Sequence, residues 1–357
     1  MPNSIPDSHS NDRESENITQ VAGELGATSR SRRAQVFVFC LKLTLGIAIV
    51  YWLILSGRFD WQMYRSLVDP TSVALVIAAF VAQSLSVVMI LARWWLLLRV
   101  QGIPISFGES LNLSFRGMFM GLFIPGTLGV DGLRVIHLRL NYRQHIAQGI
   151  AAITVDRALG FVGLLLLAVA FAALYLLERG QGISIDLLLW LLGLLSIVSV
   201  VLAVALGFLP LAGMHWLRSI RSISGFIDAL ATFQQSHGTL VLVVAVSVLA
   251  NFLVAVAAGF GLAALGIEFS FMALATVTPV LIVIRFLPLT PLGLGVTDAA
   301  AVELYRLVGL DGGAENQMLL RATWIVLVIL CGLAFFTNGR SNLANSPENR
   351  PPRKPVE

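Results

Sequence analysis

Two long stretches of this chain contain no charged residue, and they constrain its fold more than any other feature. They are residues 158–177 (ALGFVGLLLLAVAFAALYLL) and 239–267 (TLVLVVAVSVLANFLVAVAAGFGLAALGI). About 20 consecutive apolar residues suffice for a helix to cross the hydrocarbon core of a bilayer. Because backbone N–H and C=O groups in hydrocarbon must be paired within the protein, these runs indicate helices rather than barrel strands. The sequence therefore predicts an all-α, polytopic integral membrane protein.

The composition argues against a soluble protein. Hydrophobic residues make up 57% of the chain and charged residues only 12%, whereas about 25% of the residues in a typical soluble domain are charged. The formal net charge is +4, but the basic residues are spread along the ends of loops and do not form one cluster. Attraction to anionic lipid explains them better than nucleic acid does. We therefore expect membrane lipids as partners, and no nucleic acid.

The chain divides into a transmembrane domain, residues 34–338, and two polar tails, residues 1–33 and 339–357. The tails have few large hydrophobic residues and are expected to be disordered. Within the domain, apolar runs predict six full spans, at about 35–56, 72–92, 150–177, 187–209, 239–264 and 319–337.

Two further apolar segments, 107–140 and 271–309, are interrupted by glycine and proline. Proline removes a backbone donor and glycine loosens the chain, so each segment predicts a half-helix, a turn and a second half-helix. The turns resemble each other: PGTLGV spans 125–130 and PLGLGV spans 291–296. An arginine precedes each turn and an aspartate follows it, namely Arg116 with Asp131 and Arg285 with Asp298. Broken helices at matching positions of an internal repeat indicate a transporter binding site.

The distribution of arginine then predicts the orientation, because cytoplasmic loops carry the excess of basic residues. With both broken segments as re-entrant hairpins from opposite faces, an inverted repeat, both termini and residues 212–238 are cytoplasmic. We expect a multi-pass protein of the plasma (inner) membrane. The alternative makes both segments full spans and gives eight crossings. That arrangement is disfavoured because it leaves four arginines outside: Arg139, Arg143, Arg218 and Arg221.

Three blocks in order carry a family resemblance: FIPGTLGVDGLRVIHL (123–138), AAITVDRALGFVGLLLLA (151–168) and LPLTPLGLGVTDAAAVEL (287–304). Together they resemble the lysylphosphatidylglycerol synthase transmembrane-region family, also called the flippase-like domain family. The resemblance covers nearly all of 35–337 and implies a flippase-like membrane domain.

The chain departs from the family pattern in two places. Thr127 and Leu128 interrupt the paired glycines of the family, and Asp298 stands where many members have glutamate. Some members add lysine to phosphatidylglycerol with a large soluble C-terminal domain. Because this chain ends shortly after its last predicted span, we expect only the flippase-like part.

The glycine-rich turns and the arginines suggest a site for an anionic lipid headgroup. A turn that opens a helix presents unpaired N–H groups and a partly positive helix end, which suit a phosphate. The arginine guanidinium matches phosphate oxygens with its planar fork. The candidate headgroup residues are Arg134, Arg285, Gly126, Gly129, Gly293 and Gly295. The candidate polar network around them is Asp131, Asp156, Arg157, Asp298 and Glu303.

Alternatives are open for the three central arginines. Arg134 binds the headgroup, forms an i,i+3 ion pair with Asp131, or does both. Arg285 either faces a cavity or partner, with Asp298 or Glu303 as its carboxylate, or extends to an interface. Arg157 either extends to the cytoplasmic interface or pairs across helices, because adjacent helical residues such as Asp156 do not face it.

The sequence has no motif for covalent, nucleotide or metal chemistry. It contains no phosphate-binding loop, HExxH, CxxC or Gly-x-Ser-x-Gly, and Cys40 and Cys331 lie in apolar spans. We therefore expect no cofactor, no metal and no enzyme activity. The favoured function is a membrane translocase for an anionic phospholipid or a lipid-linked saccharide. The alternative is a non-catalytic membrane subunit that anchors or regulates a glycosyltransferase or a lipid-synthesis enzyme.

Overall fold

The computed structural model describes residues 40–121, 128–179, 221–287 and 289–344, together with Phe37 and Gly193. These residues form ten α-helices and contain no β-strand. The helices are α1 (Cys40–Leu55), α2 (Pro70–Val100), α3 (Phe107–Gly121), α4 (Leu128–Asn141), α5 (Ile146–Arg179), α6 (Arg221–Gln234), α7 (His237–Ala264), α8 (Phe271–Phe286), α9 (Val296–Leu307) and α10 (Gly313–Ala344).

Four of these helices, α2, α5, α7 and α10, contain segments long and apolar enough to cross a membrane, and α1 and α8 are shorter apolar helices. The prediction of an all-α polytopic membrane protein is therefore confirmed. Five of the six predicted spans coincide with α1, α2, α5, α7 and α10. The sixth, 187–209, lies outside the described residues apart from Gly193. The last helix continues to Ala344, past the predicted domain boundary at residue 338.

Helices α2 and α7 form the antiparallel centre of the bundle. The Ser86 hydroxyl donates to the Ala250 carbonyl (2.8 Å) near the middle of both helices. Hydrophobic packing does not by itself draw helices together in lipid, so close approach through small residues matters. Alanines lie buried on both helices: Ala79, Ala82, Ala250, Ala257 and Ala258. The contact between Ser86 and Ala250 therefore marks the middle of the bundle, from which the depth of other residues in the membrane is measured.

Side-chain contacts identify the two ends of the bundle. At one end the Ser66 hydroxyl donates to the Ala264 carbonyl (2.9 Å). Arg58 lies close to Ser66 in the sequence, and we name this end the Arg58 end. At the opposite end the Gln101 amide donates to the Ala229 carbonyl of α6 (2.7 Å), and we name this the Gln101 end. α6 buries Ala229, Leu230 and Phe233 against α2 and α5, so it packs as a connecting helix at that end.

Helices α3 and α4 form a hairpin that both enters and leaves at the Gln101 end. The His137 ring lies 3.0 Å from the Glu109 carboxylate, and the Tyr142 hydroxyl donates to the same carboxylate at 3.3 Å. Burial, together with the negative charge of Glu109, raises the pKa of Tyr142. The arms contain 15 and 14 residues, about 22 Å of helix, which is less than the roughly 30 Å hydrocarbon core. The eight-span alternative is therefore wrong for this segment.

Helices α8 and α9 form a second hairpin, which enters from the opposite end of the bundle. Its base lies at the Arg58 end, where Arg58 pairs with Glu303. Its tip lies beside the middle of α1, so close that a Cβ on Gly295 would stand 2.5 Å from the Gly46 carbonyl oxygen. The two broken segments thus enter the bundle from opposite ends, as the inverted-repeat hypothesis requires.

Candidate functional site

A buried ion pair joins α2 to α5 inside the bundle. Arg93 Nε donates to Asp156 at 2.6 Å, and the two side chains are 7% and 2% exposed. Arg93 Nη1 also donates to the Ser247 hydroxyl of α7 at 2.8 Å. Arg93 follows Ser86 by seven residues, so it lies about 10 Å from the middle of α2 along the helix axis. This pair therefore lies at membrane depth.

Asp131, in the first turn of α4, is shared by two arginines. Arg157 of α5 donates to it at 2.7 Å, and Arg134 donates at the longer distance of 3.4 Å. Arg134 is 2% exposed. Its guanidinium lies 4.0 Å from the centre of the Trp94 ring and donates to the Ser114 hydroxyl at 3.1 Å. Arg134 thus forms the predicted i,i+3 contact, and Arg157 pairs across helices, one of the two arrangements expected for it.

The second hairpin contains a corresponding ion pair. Arg321 of α10 donates to Asp298 at 2.8 Å, and these side chains are 11% and 0% exposed. Arg321 also donates to the Thr297 hydroxyl at 2.9 Å. The other carboxylate oxygen of Asp298 accepts from the Gly295 N–H at 2.8 Å, which caps α9.

The two hairpins therefore carry equivalent ion pairs. In each, an aspartate in the first turn of the second half-helix pairs with an arginine on the next long helix: Asp131 with Arg157, and Asp298 with Arg321. The repeated aspartates were found from the sequence, whereas Arg321 was missed. The comparable spacing from each aspartate to a later arginine was the signal that would have identified it. This correspondence supports the internal repeat.

Arg285 lies in an apolar stretch of the sequence, yet its side chain is accessible. It is exposed, and its guanidinium donates to the Gln317 side chain of α10 at 2.8 Å. The expectation that Asp298 or Glu303 pairs with it is wrong. Asp298 pairs with Arg321 instead, and Glu303 lies at the Arg58 end, where it pairs with Arg58. Arg285 therefore depends on a neutral amide for its hydrogen bond.

Contacts among Arg157, Phe161 and Phe286 connect the two halves of the repeat; we name these three residues the Phe286 surface. The rings of Phe161 on α5 and Phe286 on α8 are 5.6 Å apart. The Arg157 guanidinium lies 5.9 Å from the Phe286 ring, and its side chain is 33% exposed. An accessible cation of the first half thus adjoins an aromatic side chain of the second half.

The turn of the second hairpin uses its own backbone donors. The N–H of Gly293 donates to the Thr290 carbonyl (3.2 Å) and the N–H of Leu294 to the Pro291 carbonyl (3.0 Å). With the Gly295 N–H bound to Asp298, the N–H groups of Gly293, Leu294 and Gly295 all have partners within the protein. Among the other glycine candidates, Gly126 lies outside the described residues and Gly129 lies in the first turn of α4.

Within the described residues, no group of three histidine, cysteine, aspartate or glutamate side chains is arranged to hold a metal ion. The described arginines and aspartates of the interior form ion pairs and hydrogen bonds. Arginine guanidinium groups at membrane depth bind phosphate or carboxylate oxygens well, because little water competes there.

A protein-family model matches most of the chain. The model described as the lysylphosphatidylglycerol synthase TM region matches residues 39–314. The match includes both hairpins and ends before Gln317 and Arg321, the α10 partners of the second hairpin. No curated protein and no solved structure matches the chain. Because the model covers most of the chain, this protein belongs to the lysylphosphatidylglycerol synthase TM region family.

Proposed function

We propose that this protein is a flippase-like translocase for an anionic phospholipid or a lipid-linked saccharide. The observation that carries the proposal is Arg285, an exposed arginine of the second hairpin whose guanidinium has a neutral side chain as its partner. A charge at membrane depth is costly and usually faces a cavity, a partner or a ligand. An anionic headgroup supplies the missing counter-charge.

The arrangement of the hairpins supports movement of such a headgroup between leaflets. They enter from opposite ends of the bundle, and each is held by one ion pair to a long helix. In transporters with inverted repeats, rocking of one repeat against the other exposes a fixed central site to each side in turn. We propose that Arg285 and the Phe286 surface are parts of that site, together with Arg134 and Asp131, and that the process needs neither a cofactor nor covalent chemistry.

Arg285→Gln tests this function directly. The amide retains some hydrogen-bonding capacity and removes the charge, so we expect a loss of about 1.5–3 kcal/mol of headgroup binding. The measurement is the rate at which fluorescent phosphatidylglycerol becomes accessible to a membrane-impermeant quencher in proteoliposomes, together with its equilibrium binding. Arg306→Gln is the matched control, because Arg306 lies on the same hairpin with a 50% exposed side chain, 4.0 Å from Glu303 at the Arg58 end.

The alternative function, a non-catalytic subunit that anchors or regulates a glycosyltransferase or a lipid-synthesis enzyme, makes the opposite prediction. An anchoring subunit needs no accessible cation at membrane depth. Wild-type lipid binding and translocation in both Arg285→Gln and Arg134→Gln proteins would exclude the headgroup site and favour the anchoring function.

We further propose that the Gln101 end is cytoplasmic, with both termini on that side and the protein in the plasma membrane. Arg99, Arg139 and Arg143 lie near this end, in agreement with the positive-inside rule. In a variant lacking Cys40 and Cys331, a cysteine at Ser236 should react with a membrane-impermeant maleimide only after the cells are opened. A cysteine at Gln62, near the Arg58 end, should react in intact cells. The reverse pattern would invert the orientation.

A further inference from the structure

The first three turns of α10 present two side chains to the second hairpin, and their contacts differ in charge. Gln317 and Arg321 are four residues apart, so they lie on the same face of the helix. Arg321 forms an ion pair with Asp298 at 2.8 Å. Gln317 accepts a hydrogen bond from the Arg285 guanidinium, also at 2.8 Å. One contact between α10 and the hairpin is thus ionic, whereas the other joins a cation to a neutral amide.

The neighbouring ion pair does not supply Arg285 with a counter-charge. Asp298 attracts the Arg285 guanidinium, but Arg321 repels it at least as strongly. Both carboxylate oxygens of Asp298 also have partners, which are Arg321 and the Gly295 N–H. Within the described part of the chain, the hydrogen-bond partner of the Arg285 guanidinium is the Gln317 amide. Because Arg285 is exposed, its charge is available to a ligand.

The Gln317 amide is itself held in place by neutral groups. Gln317 is 4% exposed, and Tyr305, whose hydroxyl lies beside this amide, is 1% exposed. Asn316 donates to the Tyr305 hydroxyl and to the Ala258 carbonyl of α7, both at 3.0 Å. Arg285 therefore rests, through Gln317, on a buried set of neutral groups that joins α7, α9 and α10.

A neutral acceptor and a carboxylate have opposite effects on an arginine that binds anions. An amide oxygen orients the guanidinium and leaves its formal charge for the ligand. A carboxylate in the same place would form a charge-assisted hydrogen bond, roughly twice as strong as a neutral one, and would compete with the incoming anion. An arginine that is already held also loses less rotamer freedom when it binds. Gln317 thus holds Arg285 without neutralising it.

Resting on the proposed function, we infer that Gln317 is the positioning residue of the headgroup site and the source of its preference for anionic lipids. It fixes the Arg285 guanidinium at the end of α8 while the positive charge stays available. The bound lipid supplies the counter-charge, so an anionic headgroup is favoured over a zwitterionic one. Gln317 acts through Arg285 and not by contact with the lipid.

Gln317→Glu tests this inference on the full chain in detergent. The probes are dioleoyl phosphatidylglycerol, which is anionic, and dioleoyl phosphatidylcholine, which is zwitterionic and has the same acyl chains. Native mass spectrometry measures both affinities, and we expect the wild type to prefer phosphatidylglycerol. The introduced carboxylate should pair with Arg285 and weaken phosphatidylglycerol binding by about tenfold, with little change for phosphatidylcholine. A Gln317→Glu protein that keeps the wild-type preference would overturn the inference.

Gln317→Leu separates the positioning of Arg285 from its charge. Leucine removes the hydrogen bond and introduces no carboxylate, so the preference for phosphatidylglycerol should persist. Its affinity should fall by about threefold to tenfold, the cost of ordering a side chain that is no longer held. Unchanged affinity in a folded Gln317→Leu protein would show that Arg285 needs no positioning. This variant decides the positioning role if Gln317→Glu does not fold.

Gln83→Glu is the matched control, because it also replaces a buried amide that faces α10 by a carboxylate. Gln83 is 8% exposed, and its partners are the Leu320 carbonyl and the Thr323 hydroxyl, not an arginine. The folded fraction of Gln83→Glu should keep the preference for phosphatidylglycerol. An equal loss of preference in this control would mean that any buried carboxylate has the effect, which would overturn the role of Gln317.

The Arg285→Gln variant separates this inference from the proposed function. In that background Gln317→Glu should cause no further loss of preference, because its effect passes through Arg285. If Arg285→Gln weakens phosphatidylglycerol binding while both Gln317 variants bind like the wild type, the headgroup site stands and the inference is wrong. If Arg285→Gln has no effect on either lipid, the inference and the translocase function both fail.

Discussion

Replacing Arg93 by methionine should destabilise the protein strongly, by about 3–5 kcal/mol. Methionine removes the cation and leaves the Asp156 carboxylate buried without its ion-pair partner, since Asp156 is only 1% exposed. It also removes the hydrogen bond that Arg93 donates to Ser247 on α7. The free energy of unfolding can be followed with a denaturing detergent titrated into mixed micelles.

The double variant Arg93→Met, Asp156→Leu separates the loss of a partner from the loss of the pair. A buried ion pair replaced by well-packed apolar side chains is often nearly neutral in stability, so the double variant should recover most of the loss. Arg306→Met is the exposed control, with an expected change within about 0.5 kcal/mol. A single Arg93→Met variant as stable as the wild type would show that Asp156 is not held by Arg93 at membrane depth.

Gly295→Ala should have the second large effect, because two separate costs act at this position. Gly295 has φ +77°, a conformation that L side chains rarely adopt. A Cβ there would also lie 2.5 Å from the Gly46 carbonyl oxygen and 2.8 Å from Ile49 Cβ, both on α1. Backbone strain of about 1–3 kcal/mol adds to an overpacking cost of about 1–3 kcal/mol.

Gly57→Ala is the matched control for the second hairpin. Gly57 has a similar φ of +67°, but nothing lies within 4 Å of its Cβ position, so the alanine variant measures the backbone cost by itself. Thermal unfolding of both variants in detergent should show a clearly larger loss for Gly295→Ala. Equal losses would mean that the hairpin tip does not press against α1. Lipid translocation should also fall in Gly295→Ala, since the tip is displaced from the centre of the bundle.

Much of the architecture followed from local sequence patterns. The uncharged apolar runs predicted α5 and α7, because a helix in hydrocarbon satisfies all its own backbone hydrogen bonds. The glycine–proline interruptions predicted both hairpins, because a continuous helix is unfavourable at those residues. These are properties of neighbouring residues, which is why the segment around Asp298 was recognised as a turn followed by a helix.

The partners of the charged residues were decided only by the tertiary structure. Arg93 and Asp156 are 63 residues apart, and Arg321 lies 23 residues after Asp298, on helices whose relative rotation and depth the sequence does not encode locally. Arg285 was identified as unusual from its apolar neighbours. Its carboxylate partners were predicted wrongly, because the packing of α9 against α10 places Asp298 next to Arg321. Helix formation depends on residues within one or two turns, whereas the pairing of charges depends on which faces of distant helices pack together.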